Sequence, residues 1–75
     1  MTPTTAAFDE AILLWVKAAD HLNRSGNLAL DANRRIGDRQ YGLSAEELAV
    51  LRAHHDAEAK RLRDAARAAI GWVAP

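Results

Sequence analysis

Residues 43–73 read LSAEELAVLRAHHDAEAKRLRDAARAAIGWV, and the rest of the chain is arranged about the helix this stretch encodes. It opens on a capping box, Ser44-Ala45-Glu46-Glu47. The Ser44 hydroxyl is placed to accept from the Glu47 N–H, and the Glu47 carboxylate to accept from the Ser44 N–H. Leu43 and Leu48 have the spacing of a hydrophobic staple. Gly42 lets the chain turn sharply into this start. No helix breaker follows until Gly71. The interior is rich in Ala, Leu, Arg and Glu, the strongest helix formers. One helix is predicted from Ala45 to Ile70, roughly 38 Å long.

Leu48, Leu51, His55, Ala59, Leu62, Ala66, Ala69 and Val73 step by three and four, which puts them on one stripe. Arg52, Asp56, Lys60, Arg63, Asp64 and Arg67 fall on the other faces. Asp56 and Lys60 stand four apart with the acid first, the favourable order for a pair. Charge along the helix is polarised. Four acids and one base lie between Ser44 and Ala59, then four bases and one acid between Lys60 and Arg67. This polarity complements the helix dipole. It also suits an antiparallel contact with a second copy.

Upstream, residues 1–4 read as a flexible tail, with Thr4 or Thr5 capping a first helix over about 6–24. Phe8, Ala11, Ile12, Trp15, Ala18, Ala19 and Leu22 form its predicted inward stripe. Leu13, Leu14 and Val16 widen the apolar surface beyond that stripe. Ser25-Gly26 is read as the stop. Asn27 then caps a short helix over about 28–36, ended by Gly37. Residues 38–42 form the loop into the long helix. The expected architecture is all-α: one small domain of three helices, long, short and long, completed as a bundle by oligomerisation.

Size supports that last step. A domain of 75 residues buries only about 60% of its unfolded surface and is marginal alone. The chain has no cysteine, which excludes disulfides and thiolate metal sites. The expected staple is therefore self-association. Leu13, Leu14, Val16 and Trp72 are the interface candidates. Formal net charge is zero, so no general attraction to nucleic acid or anionic membrane is expected. The N-terminal stretch lacks a basic region before its apolar run, and that run is too short to cross a membrane. We expect a cytoplasmic location. Eight Arg against two Lys, with abundant Ala, is a composition typical of high-GC bacteria and their phages.

Two clusters could carry chemistry. Arg34, Arg35, Arg39 and Tyr41 gather guanidinium forks and one aromatic ring around a loop, a set suited to nucleic acid or a nucleotide. Lys60, Arg61, Arg63 and Arg67 could extend it. The plain alternative is a solvated helix end, because no glycine-rich phosphate cradle accompanies them. His21, His54 and His55, with Glu58, form the second cluster. They suggest a small metalloprotein but match no complete ligand spacing. No nucleophile elbow or serine–histidine–acid set is present, so no enzyme and no cofactor are expected. The favoured reading is a non-enzymatic bacterial or phage accessory or inhibitory factor that acts by protein–protein binding as a homodimer or other homo-oligomer.

Overall fold

In the computed structural model, which describes residues 2–72, two long helices lie against each other as an antiparallel hairpin. α1 spans Thr5–Ala32 and α2 spans Ala45–Ala69, with a single 3₁₀ turn at Ile36–Asp38 between them. All contacts between elements are α1 on α2. No helix among the described residues is long and apolar enough to cross a membrane.

α2 forms as its sequence dictates. The Ser44 hydroxyl accepts from Glu47 N at 3.1 Å, and Glu47 Oε1 accepts from Ser44 N at 3.1 Å. Gly42 takes φ +64°, which only glycine adopts without strain. At the far end Gly71 takes φ +68°. Its N–H donates to the Ala68 carbonyl at 3.1 Å, and the Trp72 N–H donates to the Arg67 carbonyl at 2.9 Å. This is the paired-bond ending in which glycine satisfies the last orphan carbonyls. Lys60 pairs with Asp64 at 2.8 Å rather than with the expected Asp56. Val73, expected at the end of the α2 stripe, lies outside the described residues.

α1 departs from expectation. Thr4 caps it, accepting from Ala7 N at 3.1 Å. The helix then runs through Ser25-Gly26 to Ala32, so the separate middle helix does not exist. Its predicted first half is simply the last turns of α1. The physical reason is packing. Ser25 is buried against α2, and Leu28 and Asp31 are buried beyond it. Gly26 points to open space and costs only about 1 kcal/mol relative to alanine in a helix. Burying one leucine gains more than that, about 1.5–3 kcal/mol.

The seam between the helices is narrow. Ala11, Leu14, Ala18, His21, Ser25 and Leu28 alternate steps of three and four along α1. Leu48, His55, Ala59, Leu62 and Ala66 line α2. Small residues recur every seven positions, which lets the backbones approach closely. Ala18, Ala59 and Leu62 form one buried cluster, with Leu14 packed on it.

The inward face of α1 therefore differs from the predicted one. Ala11 and Ala18 are buried, but Phe8, Ile12, Trp15, Ala19 and Leu22 are exposed on a neighbouring stripe. Leu14, expected to face outward, belongs to the seam. Leu13 and Val16 do remain exposed. A single partner helix covers one stripe, and here the small residues take it.

Candidate functional site

Three places in the hairpin carry more than helix grammar: the outer stripe of α1, the loop corner and a histidine pair in the seam.

The outer stripe follows from spacing. Phe8, Ile12, Trp15, Ala19 and Leu22 step by four, three, four and three, and so fall on one side of α1. Ile12 is 55% exposed and Phe8 45%. Val16, at 61%, lies on the flank of this stripe. The consequence appears in the whole molecule. Its radius of gyration is 16.2 Å, against about 11 Å for a compact domain of this length. Its accessible surface is 5510 Å², against about 4,500 Å² for a folded monomer of this mass. The hairpin thus exposes roughly 1,000 Å² more than a self-contained domain would. Contiguous apolar side chains left uncovered on one helix face mark an interaction surface. The five residues of this stripe were expected on the inward stripe of α1 and instead face outward.

At the loop corner, Arg39 is structural. Its Nη1 donates to the Leu43 carbonyl at 2.8 Å, its Nε to the Arg34 carbonyl at 3.2 Å and its Nη2 to the Ala32 carbonyl at 3.3 Å. One fork thus ties the end of α1 to the residue that leads into α2. Carbonyls at a helix C-terminus are the groups a cation satisfies best. Asp31 works from the other side. It is 2% exposed and accepts from Gln40 N at 2.8 Å. Arg34 approaches the same carboxylate at 3.5 Å. Arg35 and Tyr41 are exposed. Of the four residues predicted as an anion site, Arg39 has its donors turned inward and Arg34 leans on Asp31.

Trp72 stays at its own helix end. The Arg67 guanidinium carbon lies 5.0 Å from the centre of its ring, within cation–π range.

The histidines divide. His21 and His55 meet across the seam with Nδ1 to Nδ1 at 2.8 Å. His54 is exposed, and its ring centroid lies 5.3 Å from that of His55. The Nδ1 contact requires one ring to carry its proton and the other to lack it. Burial, then the nearby His21, His54 and Arg24, lower the His55 pKa below its ordinary 6.5, against a smaller pull from Asp20. Among the described residues, no group of three His, Cys, Asp or Glu side chains could hold a metal ion. Beside the pair lies a shallow groove of about 310 Å³ with Leu28, Leu43 and Leu51 in its walls and Arg24, Tyr41 and His55 at its edge.

His55 makes stability depend on pH. With a folded pKa below the unfolded one, the unfolded chain binds more protons in the interval between them. The contribution is full above pH 6.5 and is lost as pH falls through the lowered value. The carboxylates act later. Glu58, hydrogen-bonded by Arg61, and Asp64, hydrogen-bonded by Lys60, have pKa values lowered from 4.5 and 3.8. Melting temperature is therefore expected to fall as pH drops below 6.5. The double variant His21→Leu/His55→Leu, which continues the leucine pattern of the seam, is expected to flatten that interval. A parent melt that is level from pH 7.5 to 5 would contradict the lowered His55 pKa.

Comparison of the chain with protein families, curated proteins and solved structures gives no match.

Proposed function

We propose that this protein is a non-enzymatic helical interaction protein that works as a homo-oligomer, with the outer stripe of α1 as its contact surface. In that form it binds another macromolecule, as an accessory or inhibitory factor of a bacterium or phage. One observation carries the reading: Phe8, Ile12, Trp15, Ala19 and Leu22 are aligned and uncovered. A standard protein interface removes about 800 Å² from each partner, which is comparable with the hairpin's surplus surface. Leu13 and Val16 lie exposed beyond the stripe, where a second or larger partner would meet them.

Sedimentation measures this directly. The parent is expected to exceed its monomer mass of 8.2 kDa at micromolar concentration. Ile12→Glu places a charge in the middle of the stripe and is expected to give monomer with its helical circular-dichroism spectrum retained. A parent that stays at monomer mass over the whole accessible concentration range would end the proposal.

A further inference from the structure

The stripe has an internal order that selects its own partner. Resting on the reading above, we infer that two copies pack α1 against α1 antiparallel, with Trp15 on the two-fold axis. An axis at Trp15 sets Phe8 level with Leu22 of the second copy and brings Ile12 within one residue, about 1.5 Å along the axis, of Ala19. Every layer then joins side chains of complementary bulk: aromatic with aliphatic, large with small, and ring beside ring at the axis. The interface is isologous, as closed two-fold dimers require. A parallel pairing would place each residue against itself. It would crowd two isoleucines in one layer and leave two alanines facing in another, one overfilled and one underfilled. It would also align the two helix dipoles, which the antiparallel arrangement opposes. The hairpin already uses the same device. Its own antiparallel seam sets Leu14 and Leu62 beside Ala18 and Ala59. The new contact repeats that alternation on the next stripe of α1 and builds a four-helix bundle, in which short-looped helical hairpins pair through their exposed faces.

The chain has no cysteine, so introduced thiols are the only ones present. Ile12→Cys and Ala19→Cys proteins, mixed and oxidised, are expected to form the mixed disulfide several-fold faster than either alone. In this register two copies of position 12 are offset by six residues, about 9 Å along the axis. Disulfides need Cα atoms within about 7 Å. Rapid dimerisation of Ile12→Cys alone would mean parallel pairing and would overturn the inference. A second pair of variants covers the case in which the thiols disturb packing. Ile12→Lys and Ala19→Glu should each sediment as monomer, and their mixture should recover dimer through the facing Lys–Glu layer. No recovery on mixing, with the parent still dimeric, would overturn the register but leave self-association standing. A monomeric parent would instead remove the underlying reading.

Discussion

Leu48→Ala is expected to cost about 2–5 kcal/mol and to bring the hairpin to the edge of unfolding. Leu48 is 0% exposed and is one of the two largest side chains fully buried in the molecule. It stands in the first turns of α2, just after the Ser44 cap. Four of the eleven seam residues are alanine, which buries little area per residue. Loss of one leucine from such a core removes a larger share of total stability than it would in a broad core. The cavity left behind cannot collapse easily where two packed helices hold the site from both sides. A small domain has only about 5–15 kcal/mol in hand. Val50 gives the control: it lies on the same helix at 70% exposure, and Val50→Ala should stay within about 0.5 kcal/mol of the parent. Chemical denaturation of both variants separates the cases. A Leu48→Ala midpoint matching that of Val50→Ala would mean that the seam is elsewhere.

Local signals made α2 legible from the chain alone. A capping box, a staple and a glycine ending are interactions within five residues, and each forms whatever the helix packs against. α1 was legible as a helix but not in its length. Ser25-Gly26 resembles a stop only when local propensity decides, and burial of Ser25, Leu28 and Asp31 decides otherwise. The inward stripe was misassigned for a related reason. Ranking faces by bulk puts Phe8 and Trp15 inside, whereas close approach of two helices selects Ala11 and Ala18. The excess apolar surface that pointed to self-association was real in kind and shifted in place, from Leu14 to the stripe through Trp15.

The histidines show the same division. His55 was readable as a member of the α2 stripe. Its meeting with His21 was not, because it depends on the register of two helices 34 positions apart in sequence. Both residues occupy the larger-residue positions of their seams, and the antiparallel hairpin brings them level. Zero net charge and a three-arginine loop pointed in different directions about anions. The geometry of Arg39 separates them, because a guanidinium that bonds three carbonyls is occupied in holding the turn.

That assignment leads to the second large effect. Arg39→Ala is expected to cost about 2–3 kcal/mol. Each hydrogen bond from a charged donor is worth roughly 1.5–3 kcal/mol when lost, but the three share one partly exposed side chain and are not additive. The Ala32 carbonyl would be left at the end of α1 without this donor, and the Leu43 carbonyl would lose the tie that sets the entry into α2. Arg39→Lys should recover only a fraction. An ammonium is a point donor on a flexible stem and cannot reach three carbonyls as a planar fork does. Arg35→Ala, at an exposed position of the same loop, should change the melt by no more than about 0.5 kcal/mol. The three variants distinguish a structural arginine from a binding one. A structural Arg39 lowers the melting temperature in the order Ala, then Lys, then parent, with inorganic phosphate making no difference. A binding Arg39 leaves the melt of Arg39→Ala at the parent value in phosphate-free buffer, and abolishes a stabilisation that phosphate gives the parent. The second outcome would return the Arg34–Tyr41 loop to the role of an anion site.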